Sequence, residues 1–420
     1  MKKVNIPEGH PGQYVVSQSN RDYILAKGFE IHDNVDTVAF VESNTFSGNY
    51  FHINGSVENQ FFPVGVAMAF AGTESHVIVG KSGDISAFNT AISMGGANQV
   101  LVNNGHVEST INGIYAAGAG KNITNNGDIV SGTGMLITGE GKVTNNGEID
   151  AGTAGIRWDD GSGTLTLGKN SDIESDSDTM GNGVGISRQN DAGVKSRTIN
   201  DGEVTGANFS FSGLDGDETV INRGHMTGDV WLGNGNDTFD NRTGTLTGDV
   251  TGGVGSDTYI MGATQFVIVE QAADAGTDAI KSTVTLTLDA AWHIEDLHLL
   301  GKKNINGFGD SGDNHLFGNK GRNVLGGLEG TDQMTGGAGK DTFVFKTGGD
   351  GDSIMDFQNG VDKIDLSGWD TYTSFADIVA KNGLAFIDGN THIIDFNGMG
   401  EELTIVGLKL GQLDKTDFIF

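Results

Sequence analysis

The chain has 420 residues, enough for two or three domains of about 150 residues each and for a sizeable core. Gly fills 68 of these 420 positions, roughly 16% against about 7% in average proteins, yet Gly and Pro together stay below the roughly 25–30% of low-complexity chains and Gly does not recur every third residue, so disorder and collagen are excluded. A net charge of −30 argues against nucleic acid and for cations, and with 0 Cys any staple must be something other than a disulfide or a thiolate site, with oxygen-held metal the obvious alternative.

Met1-Lys2-Lys3 runs straight into a polar segment without the apolar stretch of a secretory leader, so no cleavable signal is expected. The longest apolar run, Phe61 to Gly72, is too short for the roughly 20 residues that span a bilayer. Residues 1–50, with two of the three Pro, are expected to cap the open end of the region from 51 to 261.

Residues 51–261 carry an internal repeat. Asn-Asn-Gly occurs at Asn103-Asn104-Gly105, Asn125-Asn126-Gly127 and Asn145-Asn146-Gly147, with variants at Asn200-Asp201-Gly202 and Asn222-Arg223-Gly224. Two residues after each Gly sits an apolar side chain, and the ladder Ile85, Val107, Ile129, Ile149, Ile173, Val204, Met226, Leu246 advances in steps of 20 to 24 with a single step of 31. A second apolar position follows seven residues later at Ile92, Ile114, Leu136 and Ile156. Units of about 20 residues are too short for helix pairs, and β-branched residues with Gly bends favour short strands. The repeat therefore predicts an all-β fold, a right-handed parallel β-helix, with Asn and Gly allowing left-handed bends and Asn side chains forming a hydrogen-bonded ladder between coils. An antiparallel sandwich with Asn-Gly hairpins is the competing reading, and the seven-residue offset favours the solenoid.

Within it, Arg157-Trp158-Asp159-Asp160 combines a base, a ring and two carboxylates that could seat a uronate, which makes Arg157, Asp159 and Asp160 weak catalytic candidates; a charged turn around a partly buried Trp is the plainer reading. The acidic run from Ser171 to Asp178 reads as a solvated loop where one ladder step lengthens.

The last coils acquire Gly/Asp loops. These place Glu218, Asp237 and Asp257 at spacings of 19 and 20, one coil apart, and the loop of Gly253, Gly255 and Asp257 fits G-G-x-G-x-D-x-U-x at every fixed position. Carboxylates about 4.8 Å apart on successive coils repel unless a cation lies between them. A strand-rich connector spans 262–308, where HIEDLH at 293–298 spaces its two His five apart and so is not H-E-x-x-H.

From Gly309 to Val344 run four nonads, GDSGDNHLF, GNKGRNVLG, GLEGTDQMT and GGAGKDTFV. Their sixth positions are Asn314, Asn323, Asp332 and Asp341, with Asp350 nine residues on, and their eighth positions Leu316, Leu325, Met334 and Phe343 should form the core. In an 18-residue turn of two nonads, 314 pairs with 332, 323 with 341 and 332 with 350. Gly321, Gly330, Gly337 and Gly339 turn backbone carbonyls toward the ion, and hard oxygen ligands in flexible loops suit Ca²⁺. Leu328 replaces a second-position Gly.

This region, 309–350, resembles the RTX, or hemolysin-type calcium-binding, family, whose nonapeptide is GGxGxDxUx and whose fold is a parallel β-roll. The segments DSIMDF at 352–357 and GVDKIDLS at 360–367 are similar to the C-terminal cap of serralysin-type domains, and the ending Asp417-Phe418-Ile419-Phe420 is similar to that of type I secretion substrates. The resemblance implies that 351–420 is a β cap carrying an uncleaved export signal, that the partners are calcium ions and type I secretion machinery, and that calcium folds the roll after export. The resulting expectation is an extracellular calcium-binding protein with a structural, adhesive (adhesin) or matrix role at a cell surface or polysaccharide. The alternative is a polysaccharide lyase or C-5 epimerase acting on acidic polysaccharide; a pore-forming toxin would need a hydrophobic segment that the sequence does not carry.

Overall fold

The computed structural model describes the chain apart from residues 1, 6–9, 12–13, 16–17, 27–29, 34–37, 61–64, 177–182, 264–265, 271–275, 347–350, 370–371, 395–401 and 410. The fold is all-β and parallel, and it divides into two units: Met1–Phe239 with Thr243–Gly253, and Asp240–Arg242 with Val254–Phe420.

In the first unit each coil carries three short strand segments. One column includes Tyr50–Ile53, His76–Val79, Val100–Asn103, Lys121–Asn125 and Gly141–Asn145, each parallel to the next. Its inward residues Phe51, Val77, Leu101, Ile123 and Val143 lie in register and are fully buried. The second column confirms the sequence ladder at every step, Ile85↔Val107↔Ile129↔Ile149↔Ile173↔Val204↔Met226↔Leu246, the long step included. Insertions thus leave the stack between coils and do not shift its register.

Three local expectations change. In the third segment Ile92 pairs with Ile114, and Ile114 with Met135 and not Leu136, because that coil is one residue shorter at its bend. The acidic run is not all loop: Asp172–Ser175 is a strand with Ile173 and Ser175 buried, and positions 177–178 lie outside the described residues. The Asn-Asn-Gly glycines are not left-handed bends. A Cβ on Gly127 would lie 2.0 Å from the Gly105 carbonyl oxygen, and one on Gly147 would lie 2.1 Å from that of Gly127, so the close approach of stacked backbones requires them. Upstream, Arg21–Leu25 pairs with Tyr50–Ile53 and Glu30–Asp33 with Ser56–Asn59, so the segment expected to cap this unit carries strands of the same columns.

The second unit has two inward rows in the nonad region. Leu297, Leu316, Met334 and Ile354 form one, and Gly307, Leu325, Phe343 and Ile364 the other. The predicted eighth-position residues are therefore the core, each fully buried. The connector belongs to the same stack, with Thr258–Met261, Ala279–Ser282 and Asp296–Leu299 consecutively paired. The unit closes on the antiparallel strands Leu384–Ile387, Asn390–Ile394 and Glu402–Ile405. The terminal Phe418–Ile419 pairs in parallel with Lys363–Gly368, and Asp417 is buried, accepting from the Gly360 amide at 3.1 Å.

Candidate metal centre

In the nonad loops, a carboxylate on one coil accepts the backbone amide of the coil before it. Asp332 Oδ1 accepts from the Asn314 amide at 2.8 Å, and Asp341 Oδ1 from the Asn323 amide at 2.8 Å. Both predicted pairs are thus brought together. The third involves Asp350, which lies outside the described residues; the Asp332 amide donates to Asp352 at 3.0 Å, 20 residues on. The Asp341 amide donates to Asp362 at 2.9 Å, which continues the other column.

Asn and Asp play different parts at these sixth positions. Asn314 gives its amide hydrogens to the Ile294 carbonyl at 3.1 Å and accepts from the Asp310 amide at 2.8 Å. Asn323 likewise donates to the Ile305 carbonyl and accepts from the Asn319 amide. Each Asn therefore satisfies itself with protein. A carboxylate can only accept, and the buried Oδ2 atoms of Asp332 and Asp341 have no hydrogen-bond partner among the described residues. Burial, with the charges of Asp352, Asp313 and Asp310 adding to it, pushes the Asp332 carboxyl up to about 7; burial, with Asp362 and Asp356, pushes Asp341 up to about 6.

The backbone is shaped around those oxygens. Gly330, Gly337 and Gly339 adopt φ of 100°, 84° and 156°, as predicted, while Gly321 does not and is instead required because a Cβ there would lie 2.4 Å from the Lys303 carbonyl oxygen. A Cβ on Gly327 would fall 1.8 Å from Asp332 Oδ2, and one on Gly336 would fall 2.9 Å from Asp341 Oδ2. Glycine keeps the approach to both orphaned oxygens open. Buried anionic oxygen in an open cradle fits a hard divalent cation, and Asp332 and Asp341 are the residues that would hold it.

Two further acidic groups use the same device. In the first unit the Glu218 amide donates to Asp237 Oδ1 at 2.6 Å, both side chains are buried, and burial pushes Glu218 up to about 7. Gly253 there adopts φ of 115°. In the second unit Gly255 adopts φ of 132°, and the Asp257 amide donates to Asp278 Oδ1 at 2.8 Å. Asp257, Glu270 and Asp278 each bring a carboxylate oxygen within 4.8 Å of the others, all three buried, and Glu270 also accepts from the Tyr259 hydroxyl. Sequence reading missed Asp278 and Glu295, although Gly276-Thr277-Asp278-Ala279-Ile280 carries the G-x-D-x-U tail of the nonad and the Glu295 carboxylate accepts from the Asp278 amide at 2.7 Å. Glu270 carried no signal, since it reaches the group from outside the repeat.

A family model described as the peptidase M10 serralysin C terminal matches residues 207–420, just over half of the chain. The protein belongs to the serralysin C-terminal family. Its RTX domains typically bind calcium and are secreted by type I systems, in keeping with the acidic columns. The match begins well before the nonads, so the serralysin-type region takes in Glu218 and Asp237 as well. No curated protein matches the chain. Among the described residues no helix is long and apolar enough to cross a membrane.

The weak catalytic candidates sit elsewhere, in the first unit. Arg157 Nε pairs with Asp159 at 2.8 Å on the solvent face of the strand Glu148–Asp159, and Asp160 occupies a left-handed turn with φ of 48°. Trp158 is fully buried, its indole N–H donating to the Gly139 carbonyl at 2.9 Å and its ring 4.3 Å from the Arg188 guanidinium, so it offers no stacking surface to a sugar. His293 has φ of 52° and His298 stacks on Phe317 at 4.3 Å, which leaves the two His of HIEDLH as structure, while its Glu295 belongs to the acidic group above.

Proposed function

We propose that this serralysin-type protein is an extracellular calcium-binding structural or adhesive protein that crosses a type I export channel unfolded and folds its second unit on meeting calcium outside. The single observation that carries the reading is the pair of buried, orphaned carboxylate oxygens on Asp332 and Asp341. Without a cation they face Asp352, Asp310, Asp362 and Asp356 across low-dielectric space, which holds the second unit's stability down. With calcium, each bound ion adds RT ln(1+[Ca]/Kd), about 2.7 kcal/mol at a hundred times Kd.

Calcium titration by calorimetry, paired with export of a chain lacking Asp417–Phe420, tests the two halves of the proposal. Uptake at Asp332 and Asp341 with reduced export of the truncated chain is expected. No calcium uptake removes the folding trigger, and unchanged secretion removes the type I route.

A further inference from the structure

Beside the nonad loops of the second unit lies a cavity of about 720 Å³ walled by Trp292, Leu328, Asp289, Asp310, Glu329 and Lys346, among others. A second, apolar cavity of about 260 Å³ shares Leu328 and Lys346 with it and runs over Phe308 and Val344, outward residues of Gly307–Phe308 and Thr342–Lys346.

One wall residue sits there at a conformational cost. Leu328 adopts φ of 83°, matching the 84° of Gly337 nine residues on, so the backbone asks for glycine and receives a branched side chain. The left-handed form is unfavourable for an L-residue, whose Cβ it brings too close to the following carbonyl oxygen. Leu328 is also 37% exposed, so the core does not require it; its side chain contributes to the walls of these two cavities. Trp292 ends the short turn Ala290–Trp292, which Asp289 caps by accepting from the Ala291 amide at 3.0 Å, and the left-handed His293 comes next. Strain held at an exposed cavity wall points to a ligand.

We propose that this cavity binds a neutral hexose unit of a glycan. Its volume suits a small ligand. The half-buried Trp292 ring offers a flat apolar face for the C–H side of a pyranose, with Leu328 opposite the polar groups in character. Asp289, Asp310 and Glu329 supply acceptors for sugar hydroxyls, and two are fixed by one oxygen each, Asp310 Oδ1 accepting from the Gly312 amide at 2.7 Å. Three carboxylates against the single ammonium of Lys346 repel uronates and sulfated sugars. The site is tied to the metal loops as well. Asp310 charges the surroundings of Asp332, and its carbonyl accepts from the Glu329 amide at 3.3 Å, so the loops that calcium orders are those that place two of the acceptors. This deepens the adhesive reading above and rests on it for its setting, whereas calcium binding is measured separately.

The test is saturation-transfer NMR on the calcium-loaded full chain with cellohexaose, maltohexaose and laminarihexaose, and with oligomannuronate as the anionic control. Transfer to the ring hydrogens of at least one neutral hexaose is expected, stronger than to oligomannuronate. Trp292→Ala and Leu328→Gly should each weaken binding about tenfold, the scale of a buried aromatic anchor, with calcium stoichiometry unchanged. No transfer to any neutral hexaose overturns the proposal, as does stronger transfer to oligomannuronate or binding that survives Trp292→Ala. A chain that takes up calcium and folds but binds no glycan breaks this inference alone.

Discussion

In the first unit Asn125 accepts from the Asn103 side chain and donates to that of Asn145, each bond 2.8 Å, and Asn145 passes the chain on to Ser171. An outer row runs the other way, Asn146 donating to Asn126 and Asn126 to Asn104, each at 2.9 Å. In the second unit the columns that start at Asn314 and Asn323 continue in carboxylates, Asp332 and Asp352 in one and Asp341 and Asp362 in the other, which accept the backbone amide of the preceding coil and have nothing to donate to the next. An amide carries donor and acceptor together, so its ladder closes on itself; a carboxylate ladder ends in lone pairs facing lone pairs. The Asn ladder is therefore self-sufficient, whereas the carboxylate columns leave oxygens that, on the proposed reading, a cation serves.

The largest break in this comparison comes from chelation. Removing calcium should expose 300–420 to protease while the Asn-ladder coils persist as a resistant core, because each lost ion withdraws roughly 2–3 kcal/mol. Equal resistance of both regions with and without chelator would erase the distinction. A pair of substitutions sharpens it. Asn125→Ala strands its neighbours' amide groups and should cost about 1–3 kcal/mol, seen as a lowered Tm whether or not calcium is present. Asp341→Ala should instead lower calcium affinity or stoichiometry, which Asn125→Ala leaves intact, and an unaltered titration would place the ion elsewhere.

A smaller effect arises from proton binding. Without calcium, Asp332 and Asp341 are raised to about 7 and about 6, above the ordinary value near 4 of an unfolded chain. The folded state then binds more protons than the unfolded one, so stability of the chelated second unit is greatest in mild acid and falls as pH rises through these values. Denaturant melts at pH 5 and 8 check this; a chelated second unit more stable at pH 8 would contradict it. With calcium the sign reverses for binding, since protons compete for the same oxygens and affinity weakens toward pH 5.

The sequence made the stack legible because stacking is periodic. The ladder from Ile85 to Leu246 and the nonad core from Leu316 to Phe343 were readable from spacing alone, and so were the pairs Asn314/Asp332 and Asn323/Asp341. What spacing could not show was anything aperiodic. Asp352 accepts from the Asp332 amide 20 residues before it, Met135 displaces Leu136 because a turn shortens, and Glu270 joins Asp257 and Asp278 from outside the repeat. The Asn-Asn-Gly motif owes its Gly to stacking and not to a left-handed bend. Its Gly is fixed by the preceding coil's carbonyl, from which a Cβ on Gly127 would lie only 2.0 Å, a relation between residues 22 apart that no local rule of turn chemistry contains.

The smallest effect is the most discriminating about design within the second unit. Gly337 and Leu328 hold the same nonad position with φ of 84° and 83°, so one backbone conformation is occupied once by the residue that fits it and once by one that does not. Gly337→Ala should destabilise, and its Cβ would meet the Asn319 carbonyl oxygen at 2.6 Å as well as the left-handed strain. Leu328→Gly should do the opposite, relieving about 1 kcal/mol of backbone strain against a modest loss of apolar contact and of unfolded-chain stiffness. A calcium-loaded melt for each variant reads the sign. If Leu328→Gly lowers Tm as much as Gly337→Ala does, the leucine is a packing residue; if Tm holds or rises, the chain keeps a strained side chain that its fold does not need, and the cavity wall is where that side chain acts.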